Sequence, residues 1–127
     1  MSGVVQRTAT KPTHGGKGSV YVAIFDGNPI TSQATAKIVG RALLPGEDLT
    51  SDTAQVAYRV DGVPVRAAAY QVIAFLDDAN AVTASNPAPA SGDLVSLDLS
   101  AGFAGVAVTV AIPGDVTLNL PLNVAMP

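Results

Sequence analysis

The chain predicts an all-β fold, an antiparallel sandwich of seven strands in two sheets, of immunoglobulin-like size. Three observations predict it. The last third alternates apolar and polar residues with period two over three consecutive segments. Short apolar runs elsewhere are separated by Gly, Pro, Asn and Asp clusters. The apolar side chains are mainly Val, Ala and Leu, with 5% aromatic residues and no Trp. Small and β-branched side chains suit thin, closely packed sheets.

A length of 127 residues is that of one domain. Apolar residues make up 48%, enough for a core, and charged residues only 13%. Disordered chains carry the opposite bias. With no cysteine, disulfides, thiolate metal sites and cysteine nucleophiles are excluded. The opening residues Met1-Ser2-Gly3-Val4-Val5-Gln6-Arg7 hold no apolar run of signal-peptide or membrane-spanning length, so neither is expected in this chain. Residues 1–18 carry Arg7, Lys11 and Lys17 without an acid. The remainder sets Lys37, Arg41, Arg59 and Arg66 against all ten acids. An acidic body offers no electrostatic attraction to nucleic acid.

Residues 1–17 lack periodicity and read as a flexible basic leader, which leaves 18–127 as the single sandwich domain. Ser19 to Phe25 is a strand with Val20, Val22 and Ile24 on one face, closed by the Asp26-Gly27-Asn28-Pro29 turn. Residues 32–44 fit either a strand or a short helix. As a strand, Ala34, Ala36, Ile38 and Ala42 point inward and Thr35, Lys37, Val39 and Arg41 outward. Pro45-Gly46-Glu47-Asp48 then breaks the chain.

Thr53 to Val60 places Ala54, Val56, Tyr58 and Val60 on one side. An Asp61-Gly62-Val63-Pro64 turn joins it to a strand from Val65 to Leu76. There Tyr70, Val72, Ala74 and Leu76 share one face and Ile73 and Phe75 the other, so this strand is central and covered on both sides. Residues 77–92 form a long loop in which Pro87 and Pro89 forbid regular pairing. Three alternating segments follow: Val95, Leu97 and Leu99; Val106, Val108, Val110 and Ile112; and Val116, Leu118, Leu120, Leu122 and Val124. Ala101-Gly102 and Pro113-Gly114-Asp115 separate them. Pro121 lacks an N–H, which assigns the last strand to a sheet edge.

The order of these features resembles the transthyretin-like and carboxypeptidase-regulatory-like (prealbumin-like) sandwiches. Gly18–Phe25 is similar to their opening Gly-x-Val-x-Val strand, and Ala69 to Asp78 to their central strand. Pro89-Ala90-Ser91-Gly92-Asp93 is similar to a later loop, and Asp115–Leu118 to a terminal Asp-x-x-Leu strand. The likeness spans roughly residues 18–124. It implies a non-enzymatic module that stabilises, presents or binds, in a bacterial envelope or secreted setting: periplasmic, cell-surface or secreted. The hydroxyisourate hydrolases of this group use several histidines and a C-terminal Tyr-Arg-Gly-Ser. This chain has one histidine, His14, and ends Asn123-Val124-Ala125-Met126-Pro127, so the likeness does not extend to that activity.

Four residues form a candidate metal set at one end of the sandwich: Asp77, Asp78, Asn80 and Asp93. Ca²⁺ takes six to eight oxygens from carboxylates and carbonyls on a loop. The alternative role for the same carboxylates is to solvate a strand end and discourage edge pairing. Gly15-Gly16-Lys17-Gly18-Ser19 lacks the Gly-Lys-Ser/Thr order and the strand-to-helix setting of a phosphate loop. His14 has no acid near it in sequence, and a histidine in a flexible leader cannot hold a hydroxyl in proton-transfer range. A Lys37 isopeptide with Asn119 or Asn123 is disfavoured because all three face outward by strand parity.

The expected function is therefore a structural or protein-interaction module. Its contacts would be a protein partner or self-association through edge strands or end loops. The alternative is a Ca²⁺- or carbohydrate-binding accessory domain of a larger enzyme system.

Overall fold

The computed structural model describes residues 1–32, 35–83, 88–102, 104–110 and 116–127. Ala34, Pro87, Ile112 and the Pro113-Gly114-Asp115 separator lie outside that set. Nine strands are present among the described residues rather than seven: β1 (Ser2–Arg7), β2 (Lys17–Phe25), β3 (Ile38–Asp48), β4 (Gln55–Arg59), β5 (Tyr70–Asp77), β6 (Leu94–Val95), β7 (Val106–Val108), β8 (Leu120–Leu122) and β9 (Val124–Ala125). They form two packed sheets, a three-stranded one in the order β4-β1-β8 and a six-stranded one in the order β3-β2-β5-β6-β9. In the larger sheet β6 and β7 share one edge of β5 end to end. One pairing, β1 with β8, is parallel, so the sandwich is antiparallel everywhere else along its named strands.

The core between the sheets follows the predicted alternation. Val20, Val22 and Ile24 of β2 are fully buried, with Val72, Ala74 and Leu76 of β5 opposite Leu120 and Leu122 of β8. Each Val, Ile or Leu among them contributes about 1.5–3 kcal/mol by leaving water. Pro121 sits on β8, an edge strand, as its missing donor requires.

Several elements depart from the sequence reading. Residues 1–17 are no loose leader: β1 is the middle strand of the smaller sheet, and Val5 is wholly buried. An isolated apolar pair such as Val4-Val5 gives too little periodicity to mark a strand. Residues 32–44 resolve as strand rather than helix over their described second half, and β3 runs on through Pro45-Gly46 to Asp48. Gly46, at φ 67°, helps absorb an irregularity between Gly18 and Val20 of the partner strand. A second register shift lies between Ile24 and Phe25. It turns Val39 toward the core and leaves Ile38 51% exposed, the reverse of the simple parity.

The Asp61–Pro64 turn does not close a hairpin. β4 and β5 lie in different sheets, so this segment carries the chain across the sandwich. Arg66 ties the crossing down. Its guanidinium donates to the Asp26 and Ala69 carbonyls at 2.9 and 2.6 Å and lies 4.0 Å from the Tyr70 ring centroid. The alternating face of Val95 and Leu97 also changes sides. It packs with Phe75 on the outer surface of the large sheet, while Leu94 enters the inter-sheet core. Leu99 opens a one-turn 3₁₀ helix and is 54% exposed.

Candidate functional site

Two regions concentrate chemistry or exposed apolar surface. The first lies where β5 ends. Asp77 is buried, and its two carboxylate oxygens accept the Ala81 and Val82 N–H groups at 2.8 and 3.0 Å. That closes the turn after the strand. Asn80 stands exposed on this turn at φ 54°. Two of the four candidate ligands are thus occupied with, or presented by, the turn itself.

The other two meet a residue that sequence order keeps far away. After β1 the chain runs as a strap over residues 8–16. Thr8 and Thr10 hydroxyls donate to the Leu122 and Asn123 carbonyls at 2.8 and 3.1 Å. The buried Arg7 side chain donates to the Leu49 carbonyl at 2.7 Å, and Leu49 N–H donates to the Gly16 carbonyl at 2.8 Å. The strap ends on Asp78, whose Oδ2 accepts the His14 and Gly16 N–H groups at 2.9 and 3.1 Å. Gly16 adopts φ 82°, a left-handed conformation that glycine reaches at little cost.

The strap delivers the His14 imidazole to the carboxylates. His14 Nδ1 lies 3.5 Å from Asp78 Oδ1, with the histidine side chain 42% exposed and that of Asp78 1% exposed. A β-carbon on Gly92 would stand 2.8 Å from His14 Cε1, so the bare glycine makes room for the ring. Asp93, just before β6, is fully buried, and its Oδ2 accepts the Ala90 N–H at 2.8 Å. One ligand atom from each of His14, Asp78 and Asp93 falls within 4.8 Å of the others. Among the described residues, Asp78 Oδ1 and Asp93 Oδ1 are buried without a hydrogen-bond partner.

Burial pushes the Asp93 carboxyl above the usual carboxylate range. The Ala90 N–H opposes this, the Asp77 and Asp78 charges add to it, and His14 offsets part of it. The expectation that His14 is unplaced is corrected, and the acid it meets is 64 residues away. No local motif announces such a meeting. No hydroxyl is hydrogen-bonded to the His14 imidazole among the described residues, and the residue does not line either hollow over the large sheet. The glycine-rich stretch likewise serves as a carboxylate-bound turn. Asn119 and Asn123 are engaged with the Val4 N–H and with the Leu97 backbone, away from Lys37.

The second region is the outer face of the large sheet. Residues that alternate with the core positions, Tyr21, Ala23 and Phe25 on β2 and Ile73 and Phe75 on β5, pave it. The Tyr21 and Phe75 rings stack at 4.9 Å. A groove of about 390 Å³ runs over Ala23, Phe25, Ile73, Phe75 and Leu97, flanked by Ile30 and Pro89. A smaller hollow of about 280 Å³ continues toward Leu43 and Arg41. Ile38 and Leu43, on edge strand β3, are 51% and 55% exposed.

No family model, curated protein or solved structure matches this chain. No helix among the described residues is long and apolar enough to cross a membrane.

Proposed function

We propose that the protein is a non-enzymatic structural and protein-interaction module, and that the outer face of the six-stranded sheet is its contact surface. The observation that carries this reading is an apolar strip that starts at exposed Leu43 and Ile38, passes over half-buried Tyr21 and ends against buried Phe75 and Leu97. Its exposed part is Ile38 and Leu43 on β3 with Ile30 beside the groove, and exposed apolar side chains grouped in this way mark interaction surfaces. The strip begins at edge strand β3, whose unpaired backbone groups add directional bonding to apolar contact. Of the edge strands and end loops offered by the sequence, this reading takes an edge strand and adds the sheet face beside it. A bacterial envelope or secreted setting rests on the transthyretin-like resemblance.

A second copy of the chain is the first partner to test, because a face and edge of this kind can pair with themselves about a two-fold axis. Sedimentation velocity over a concentration series is expected to show reversible association. The double variant Ile38→Asp, Leu43→Asp is expected to stay monomeric and to melt as the parent does, since both side chains are already more than half exposed. A parent that stays monomeric throughout, with the same weak binding of an apolar dye as the variant, overturns the reading.

A further inference from the structure

We propose that His14, Asp78 and Asp93 form a divalent transition-metal site, of Zn²⁺ type, that clasps the 8–16 strap to the end of the sandwich. The three side chains present one nitrogen and two carboxylate oxygens within 4.8 Å of one another. Two ligands about 2.1 Å from a tetrahedral metal stand about 3.4 Å apart. The His14 Nδ1–Asp78 Oδ1 separation is 3.5 Å, already that spacing. The whole set lies within 4.8 Å, so it contracts by at most about 1.4 Å to take such a metal.

An independent observation points to a ligand. Asp93 is completely buried, yet among the described residues its Oδ1 has no hydrogen-bond partner, and neither has Asp78 Oδ1. Buried polar oxygens are normally satisfied. Two carboxylate oxygens without a hydrogen bond, one of them 3.5 Å from an imidazole nitrogen, are the donors a cation would bind. Every other oxygen of the two groups is taken: Asp78 Oδ2 by two strap N–H groups and Asp93 Oδ2 by the Ala90 N–H. These bonds hold the carboxylates in place, as outer partners do at metal centres.

The donor set also selects the metal. Ca²⁺ needs six to eight oxygens, whereas Asp77 is committed to its turn and Asn80 faces solvent. An imidazole with two carboxylates suits Zn²⁺ or a neighbouring first-row ion. The 42% exposure of His14 leaves a route for the ion and a position for water as fourth ligand.

The test adds Zn²⁺ to the chelator-treated full chain. Calorimetry is expected to show one site per chain and a raised melting temperature, with Ca²⁺ producing neither. His14 is the single histidine, so its imidazole resonance is assigned without ambiguity and is expected to shift on saturation. His14→Ala and Asp93→Asn are each expected to weaken Zn²⁺ binding at least tenfold. Asp93→Asn keeps the shape and the Ala90 contact, so it reports ligand loss in a folded protein. The proposal is overturned if Zn²⁺ releases no heat and leaves the resonance in place, or if both variants bind as tightly as the parent, which would locate the ion elsewhere on the acidic surface.

Discussion

Tyr58 shows how one buried hydroxyl couples the fold to pH. Its ring is in the core, its O–H donates to the Leu118 carbonyl at 2.6 Å, and burial pushes its pKa up to about 12. The unfolded side chain ionises near its ordinary value of 10.0. Between these values the unfolded chain loses a proton that the native one keeps, so stability is fully present below pH 10 and falls as pH rises toward 12. Urea titrations at pH 9 and pH 11 are expected to show this loss. Tyr58→Phe is expected to abolish it while costing about 1 kcal/mol at neutral pH for the missing hydrogen bond. Asp77 is a structural carboxylate, whose two oxygens cap the turn after β5. Asp77→Ala leaves two N–H groups without their acceptor and is expected to cost about 1–3 kcal/mol in denaturant melts. The same substitution is expected to leave Zn²⁺ affinity within a few-fold of the parent. Its carboxylate was a natural choice of metal ligand from sequence. Only the position of the Ala81 and Val82 amides shows that it is already occupied.

At the scale of elements, β1 and β2 illustrate two limits of pattern reading. β2 was legible because Val20, Val22 and Ile24 alternate over a full strand length. Its pairing with β5 at Ser19 opposite Asp77 was not. The neighbouring Gly18 is required by that approach: a β-carbon there would lie 2.0 Å from the Asp77 carbonyl oxygen. Gly18→Ala is therefore expected to lower the melting temperature sharply, by several degrees or more, where Gly15→Ala, with open space around it, costs only the strain of φ 101°. β1 carries no signal of the β2 kind, because its six residues hold Gly3 and a single adjacent apolar pair, Val4-Val5, with no alternation. Its central place between β4 and β8 means that deleting residues 1–7 should leave the chain unfolded by circular dichroism, an outcome that trimming a loose leader would not produce.

For the whole molecule, the two sheets share one core, so they are expected to unfold together. Leu120→Ala on β8 empties a fully buried position facing the large sheet and is expected to cost about 2–5 kcal/mol. A single cooperative transition at lower denaturant, with no separate loss of either sheet, would express that coupling. The all-β class, the inward faces of β2, β4, β5 and β8, and the edge position of Pro121 were all contained in the residue order. Side-chain alternation and the proline N–H deficit are local properties, carried by neighbours along the chain. Assignment of strands to sheets, the bulges that reverse Ile38 and Val39, and the meeting of His14 with Asp78 and Asp93 were decided only in three dimensions. They depend on which distant backbones pair and how closely they approach, and a period of two residues holds no record of a contact 64 residues away.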